Sequence, residues 1–99
     1  MYYAIICEDI ANTLQLRRDA LPAHLDRLQA LADEGKLLAA GPNPALDTED
    51  PGQAGFTGSL IIADFDSWEA ASDWANVDPY ANAGVCNKIT VKPYVVVLP

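Results

Sequence analysis

Three residues of this 99-residue chain are the leading candidates for acid–base chemistry because of their types and their positions in the sequence. His24 is the only histidine, and imidazole is the side chain that exchanges protons most readily near neutral pH. Asp78 precedes Pro79, and proline disfavours helical geometry in the residue before it, so this pair can end a helix and aim the carboxylate. Ser59 follows Gly58 at the start of a predicted strand, where a hydroxyl can bind substrate or assist proton transfer. These three side chains could support acid–base catalysis if the fold brings them together.

Each of the three also has a purely structural interpretation. His24 lies at the margin of the apolar stripe of its predicted helix, where a packed and hydrogen-bonded histidine is common. Asp78 and Pro79 can simply cap the short helical turn that follows them. The Gly58-Ser59 pair can reflect only the backbone geometry of a strand entrance. The residue types alone therefore leave both interpretations open.

No motif in the sequence predicts a cofactor or a metal. The G-x-S-x-G elbow of serine hydrolases and the Walker and Rossmann glycine patterns are absent. A single histidine cannot build a typical zinc site with its neighbours, and Cys7 and Cys86 lie far apart without a CxxC pair. We expect no cofactor, no metal and two reduced structural thiols, with a redox or nucleophilic role as the alternative for the cysteines.

The first predicted helix, residues 12 to 34, positions His24. Its predicted buried face consists of Leu21, Leu25, Leu28 and Ala32. Pro22 lacks a backbone donor, so the helix is expected to kink or to begin again there. A histidine one turn into a restarted helix would feel the positive end of that helix, which lowers the imidazole pKa and favours the neutral form of a general base.

The other elements complete the order strand, helix, strand, strand, helix, strand. The predicted strands are residues 2–7, 36–41, 57–65 and about 88–98. Asp66 and Glu69 look like a capping box that opens the second helix, and Pro93 indicates an edge or a bulge in the last strand. This order predicts one domain, residues 1–99, of the ferredoxin-like α+β class, with a four-stranded antiparallel sheet and two helices on one face.

Apolar patterning on two strands predicts a homodimer. In YYAIIC, residues 2–7, and SLIIADF, residues 59–65, both alternating sets of side chains are largely apolar. An antiparallel sheet covered on one face should instead alternate apolar with polar residues. Two helices cover only one face, so we expect a second copy of the sheet to cover the other.

Charge and hydropathy limit the partners. Six Lys and Arg against fourteen Asp and Glu give a formal net charge of −8, which repels nucleic acid and anionic membranes. The longest apolar runs reach about half of the roughly 20 residues that a membrane-spanning helix needs. The amino terminus, MYYAIICED, lacks the basic region of a signal peptide. We expect a cytoplasmic protein that binds a small molecule and neither nucleic acid nor membrane.

A long connection joins the second and third predicted strands. Residues 42 to 58 are rich in Pro, Gly and Asp and form a connection about three times the usual length. Connections of this length are often functional or mobile. The segment is either a solvated surface excursion or the rim or lid of a pocket.

Several motifs together resemble the YciI or YCII-related family over nearly the whole chain. They are the Pro-x-His-Leu element and Gly-x-Leu-Leu-x-x-Gly-Pro in residues 22–42, the Gly-Ser and Asp-Pro-Tyr elements in residues 50–85, and ITVKPY in residues 89–94. The resemblance implies the fold of muconolactone isomerase and other dimeric α/β-barrel proteins. It also implies His24 as a general acid/base, Asp78 as the group that orients its imidazole, and Ser59 as a third site residue.

The chain departs from the family at one position. Many relatives carry Arg immediately before the proline, where this chain has Leu21. If that arginine helps to hold an anionic substrate, this protein must use Arg17 or Arg18 instead, or prefer a different ligand.

The resulting functional hypothesis is a small cofactor-independent enzyme, a lyase or an isomerase. It would move a proton on a small cyclic or aromatic, anionic metabolite. The alternatives are a non-catalytic protein that senses a metabolite in the same pocket, and a structural partner of another protein that uses the apolar sheet face. The sequence does not name the substrate.

Overall fold

The sheet contains the strands β1 (Tyr2–Asp9), β2 (Leu37–Pro44), β3 (Phe56–Asp64) and β4 (Cys86–Tyr94) in a computed structural model that describes residues 1–99. All neighbours are antiparallel in the order β2-β3-β1-β4. The helices are α1 (Leu14–Asp33), α2 (Trp68–Asn76) and α3 (Pro79–Asn82). They lie on one face of the sheet, so the predicted ferredoxin-like α+β architecture is confirmed. None of the helices has both the length and the apolar composition needed to cross a bilayer.

The main core lies between the helices and the inner face of the sheet. Its buried members are Ile5, Ile61 and Ala63 from the strands and Leu28, Leu31 and Ala75 from the helices. Because side chains alternate along a strand, every second residue of β1 and β3 reaches this layer. The core therefore fixes α1, the helix that carries His24, over the centre of the sheet.

The helix α1 differs from its prediction in two ways. It continues through Pro22 as one α-helix, so His24 lies in the middle of a helix and not near a new amino terminus. The prediction that His24 lies near the positive end of a restarted helix is therefore wrong. The buried face is also rotated, because the buried residues are Arg17, His24, Leu28 and Leu31. Leu21 and Leu25 are 40% and 51% exposed.

Several predicted boundaries shift as well. The strands β2 and β3 extend into the predicted 42–58 loop, leaving a connection of residues 45–55 that contains a single turn of 3-10 helix at Gly52–Ala54. The side chain that caps α2 is Ser67, which accepts a hydrogen bond from the Ala70 N–H, and not Asp66. The last strand ends at Tyr94 and forms a sheet edge, as Pro93 indicates.

The expectation of two reduced thiols is wrong in this structure, because Cys7 and Cys86 form a disulfide. The two cysteines are 79 positions apart in sequence, but β1 and β4 are hydrogen-bonded neighbours and Asp9 pairs with Cys86 after a bulge. This pairing brings the two Cα atoms to 5.6 Å. Sequence spacing alone could not reveal the pair, since it depends on which strands become neighbours.

Gly58 allows a close approach of β1 and β3, and its replacement should be costly. A Cβ atom at Gly58 would overlap the carbonyl oxygen of Cys7. We expect Gly58→Ala to lower the free energy of unfolding by about 1–3 kcal/mol, because the strands would have to move apart. Gly41→Ala is the matched control, since a Cβ there meets nothing within 4 Å. Chemical denaturation of both variants checks this, and equal losses of stability would contradict it.

Candidate active site

His24 and Asp78 meet in a buried hydrogen bond. The distance from His24 Nδ1 to Asp78 Oδ2 is 2.8 Å, and each residue is 6% exposed. Because an ionised carboxylate only accepts hydrogen bonds, Nδ1 is the protonated nitrogen that donates to it. The other ring nitrogen, Nε2, makes no hydrogen bond within the chain. It is therefore the nitrogen that is free to exchange a proton with a ligand, and that catalytic role stays a prediction.

Asp78 is held in place by its own position in the chain. It is the amino-terminal cap of α3, with an extended backbone, and its Oδ2 accepts a hydrogen bond from the Tyr80 N–H at 3.0 Å. Pro79 at the first helical position excludes helical geometry at Asp78. On the other side of the carboxylate, Arg27 Nη1 donates to Oδ1 at 3.0 Å. The turn chemistry and the contact with His24 are thus both present, and one does not exclude the other.

These partners make Asp78 a stronger acid. Burial alone would raise the pKa of Asp78. The hydrogen bonds from His24 and from the Tyr80 N–H, together with the electrostatic interactions with His24 and Arg27, outweigh burial and hold the pKa of Asp78 below its ordinary value of 3.8. The carboxylate is consequently ionised at neutral pH and can stabilise a protonated imidazole.

The lowered pKa predicts how stability depends on pH. A depressed carboxyl pKa contributes stability that is present above the unfolded-state pKa and is lost as pH falls through the lower folded-state pKa. We therefore expect the difference in unfolding free energy between wild type and Asp78→Asn to be constant near neutral pH and to shrink as pH falls below 3.8. Denaturation at several pH values measures this difference. Asp73→Asn, at an exposed position on α2, controls for the loss of one negative charge. A difference that stays constant in acid would contradict the prediction.

Tyr80 completes the buried cluster. Its ring stacks on the imidazole of His24, with centroids 4.0 Å apart and 15° between the planes. Burial, with smaller contributions from the charges of Asp78 and Asp9, raises the pKa of Tyr80 above its ordinary value, although Arg17 opposes the shift. The phenol is therefore neutral at physiological pH and can donate a hydrogen bond.

A second buried pair, Arg17 with Asp9, borders the cluster. Arg17 Nε and Nη2 donate to the two oxygens of Asp9 at 2.9 and 3.1 Å, and Nη2 also donates to the Gly58 carbonyl at 3.0 Å. The side chains of Arg17 and Asp9 are 7% and 2% exposed. The guanidinium lies 4.5 Å from the centre of the Tyr80 ring. This pair connects α1 to both β1 and β3 beside the histidine.

A cavity of about 370 Å³ opens next to this cluster. Its walls are mainly apolar, and its polar lining includes Arg17, Arg18, His24, Ser59 and Tyr80. Asp78 lies behind the imidazole and does not line this cavity. A drug-sized or smaller ligand fits such a volume, and His24 is the group through which the carboxylate would act on it.

The 45–55 connection forms part of the rim of this cavity. Asp50, Pro51 and Gly52 line it, together with Gly41 and Pro42 at the end of β2. The predicted choice between a surface excursion and a pocket rim is therefore decided in favour of a rim for these residues. The exposed side chains of Leu21 and Leu25 on α1 also belong to the wall.

The structure brings all three predicted site residues together. Ser59 is 5% exposed, lies beside His24 in the lining of the cavity and makes no side-chain hydrogen bond. Sequence reasoning missed Arg27 and Tyr80. Tyr80 could have been found because it belongs to the Asp-Pro-Tyr element, whereas the contact of Arg27 with Asp78 depends on where α3 packs against α1.

One cluster has the residue types of a metal site. Ligand atoms of Cys7, Asp9 and Cys86 lie within 4.8 Å of one another. The two sulfurs are bonded to each other, whereas metals bind the thiolate. Both carboxylate oxygens of Asp9 are held by Arg17. The donor set therefore does not fit a metal in this state of the cysteines.

Comparison with known proteins places this chain in a family. The model of the YCII-related domain matches residues 1–95. Protein YciI of Escherichia coli is 56% identical over 94 residues, covering 95% of this chain and 96% of that protein, and a Haemophilus influenzae protein is 53% identical over the same length. A solved structure from Burkholderia phenoliruptrix has a TM-score of 0.84 and 28% identity, and covers 96% of this chain and 94% of its own. That protein is a 5-chloro-2-hydroxyhydroquinone dehydrochlorinase in complex with 2,5-dihydroxybenzoquinone. The chain belongs to the YCII-related family.

Proposed function

We propose that this protein is a small cofactor-independent enzyme that moves a proton on a small cyclic or aromatic, anionic metabolite, by elimination or isomerisation. The observation that carries the proposal is the 2.8 Å hydrogen bond between His24 Nδ1 and Asp78 Oδ2 beside a cavity of about 370 Å³. The structural similarity to a dehydrochlorinase supports the class of a small-molecule enzyme.

In this proposal His24 Nε2 is the general base. It removes a proton from the bound molecule, and the ionised Asp78 stabilises the imidazolium that forms. In an elimination a leaving group departs as the new double bond forms; in an isomerisation the imidazolium returns the proton to another atom. The hydroxyl-bearing side chains of Ser59 and Tyr80 line the cavity and can donate to an oxygen on which negative charge develops.

The proposed substrate is anionic because two arginines, against the single carboxylate of Asp50 at the rim, line an otherwise mainly apolar cavity. Arg17 is fixed by Asp9 and Gly58, which accept hydrogen bonds from its Nε and Nη2. Arg18 is exposed and can reach a ligand from the rim. We propose that Arg17 supplies the fixed positive charge in this chain, in which residue 21 is a leucine. The apolar wall would hold the ring of the substrate.

Two measurements test this function. Binding of 2,5-dihydroxybenzoquinone is followed by NMR through the single histidine, whose ring signals should shift on binding. Turnover of 5-chloro-2-hydroxyhydroquinone is followed as chloride release. We expect binding, and turnover of this compound or of another hydroxylated, anionic ring compound tested in parallel. Absence of both binding and turnover across such a series would contradict the proposal.

The alternative is a non-catalytic sensor that uses the same cavity. The observation that favours it is that fixed charge and apolar walls can hold an anionic ring without any proton transfer. The experiment that separates the two functions compares wild type with His24→Ala. Ligand binding that survives the substitution, with no turnover by either form, would favour the sensor.

We also propose that the protein is a homodimer that packs sheet to sheet. The outer face of the sheet carries apolar side chains at Ala4, Ile6, Leu60 and Ile62, which are paired across β1 and β3. Leu60 is 38% exposed on this face, and the three helices cover only the other. A second copy of the same face would remove this apolar surface from water.

The oligomeric state tests the homodimer. We expect a dimer mass for wild type in analytical ultracentrifugation, and dissociation for Leu60→Glu, which places a charge at the centre of the proposed interface. Leu46→Glu is the matched control, because Leu46 is 56% exposed in the 45–55 connection. A monomeric wild type, or equal behaviour of the two variants, would contradict the proposed interface.

A further inference from the structure

The Cys7–Cys86 disulfide lies directly beneath the candidate site. A small cavity of about 20 Å³ is lined by both cysteines together with His24, Ser59, Asp78 and Tyr80. Cys86 begins β4 and directly follows residues 77–85, the segment that carries Asp78 and Tyr80. The disulfide therefore attaches the end of this segment to β1.

The segment 77–85 depends on such attachments. Its helix α3 has only four residues, and isolated helices shorter than about 12–15 residues are unstable in water. Besides the side-chain bonds of Asp78, the segment is held where Val85 O accepts a hydrogen bond from the Ile10 N–H at 2.8 Å. A covalent link one residue further on restricts how far this part of the chain can move.

The disulfide also contacts the buried ion pair. Cys7 Sγ lies 3.4 Å from Asp9 Oδ1, the oxygen that accepts a hydrogen bond from Arg17 Nη2. In the disulfide this sulfur carries no hydrogen, so Arg17 has no competitor for the carboxylate. A free thiol at the same place could donate to Asp9. The redox state of Cys7 can therefore change the hydrogen bonding between Asp9 and Arg17, and Arg17 lies against the Tyr80 ring.

We infer that Cys7 and Cys86 are a redox-active pair that controls the candidate site, with a dithiol reductant as the reacting partner. A thiolate of the reductant attacks Cys86, which is more exposed than Cys7, and the Cys7 sulfur leaves and takes up a proton. The second thiol of the reductant then releases Cys86 as a thiol. Two electrons and two protons are transferred, and the reductant becomes a disulfide. In the cytoplasm, where we expect this protein, such dithiols are abundant.

Reduction then loosens the 77–85 segment and weakens the alignment of Asp78 and Tyr80 with His24. The consequence for ligand binding rests on the proposed function, whereas the change in the segment does not. The two can therefore be measured separately, one without a ligand and one with a probe.

Amide hydrogen exchange tests the change in the segment. We expect reduction of wild type to accelerate exchange at the amides of Tyr80, Asn82 and Ala83 at least about tenfold, because their hydrogen bonds break when the segment opens. Amides in the β2–β3 pairing, which the disulfide does not join, should change much less. The double variant Cys7→Ser/Cys86→Ser should show the fast rates with and without reductant.

Three results would overturn the inference. Both cysteines could be alkylated completely in protein purified without reductant, so that no disulfide exists. Exchange could accelerate equally throughout the sheet, which would indicate global destabilisation only. The double variant could respond to the reductant as wild type does, and the response would then not come from these cysteines.

A binding measurement tests the effect on the site. The probe is 2,5-dihydroxybenzoquinone, added to oxidised wild type and to the Cys7→Ser/Cys86→Ser variant without reductant, because thiols react with quinones. We expect the variant to bind about tenfold more weakly, which corresponds to about 1.4 kcal/mol. Equal affinity of the two proteins for this probe would overturn the inference that the disulfide controls ligand binding at the site. Failure of both forms to bind would instead count against the proposed substrate class, and the exchange experiment decides the redox response independently.

Discussion

Replacing His24 with Ala should lower the rate of the proposed proton transfer by about 10²- to 10⁴-fold, the usual contribution of positioned acid–base catalysis. The expected loss is large because Nε2 is the proposed base and no other histidine exists in the chain to replace it. Asp78→Asn should lower this rate by a similar factor, because the amide keeps the size of the side chain and loses the charge that stabilises the imidazolium. The measurement is steady-state turnover of a compound that wild type converts, beginning with chloride release from 5-chloro-2-hydroxyhydroquinone.

The two substitutions should not add. If His24 and Asp78 act as one unit through their 2.8 Å hydrogen bond, the double variant should be about as slow as His24→Ala alone. Asp73→Asn, which removes a charge from an exposed position, should keep the wild-type rate. Additive losses of rate in the double variant, or full activity in His24→Ala, would contradict the proposed mechanism.

The second large effect concerns stability. Arg17→Met should lower the free energy of unfolding by about 3–5 kcal/mol, since it leaves Asp9 as a buried charge without its partner. The side chain of Asp9 is 2% exposed, so water cannot replace the lost guanidinium. Asp9→Leu should be costly for the same reason. The double variant Arg17→Met/Asp9→Leu removes both charges and should recover much of the loss, which denaturation of the three proteins would measure.

An exposed ion pair provides the control for this prediction. Lys36 and Glu34 approach to 2.9 Å with side chains that are 47% and 57% exposed. Lys36→Met should change stability by little, because solvent screens an exposed pair and the long side chains lose entropy when they form it. Similar losses of unfolding free energy for Arg17→Met and Lys36→Met would contradict the prediction that burial makes the Arg17–Asp9 pair costly to break.

Hydrophobic patterning predicted the fold well because it reflects the layers directly. The alternation and the helical periodicity gave the order of elements, and short-range rules placed Asp78 at a helix start through the proline that follows it. The same rules failed where tertiary packing decides. On a helical wheel Leu21 and Leu25 are predicted to belong to the core. In the structure α1 is rotated so that its buried face includes Arg17 and His24, because these two side chains form hydrogen bonds with Asp9 and Asp78 on other elements.

The residues of the site that depend on strand pairing could not be predicted. The Cys7–Cys86 bond requires β1 and β4 to be neighbours with a particular bulge, and no local pattern contains that information. Arg27 was missed for a related reason, since an arginine on a polar helix face is usually solvated. Only the position of α3 shows that its guanidinium reaches Asp78.

The exposed leucines of α1 have a consequence for how this family can diversify. Leu21 and Leu25 contribute to the wall of the large cavity and are not members of the buried core. Substitutions at these two positions can therefore alter which molecules fit without dismantling the packing that holds His24 in place. Variation at residue 21 can in this way change the shape and polarity of the cavity wall while the sheet and the buried core stay the same.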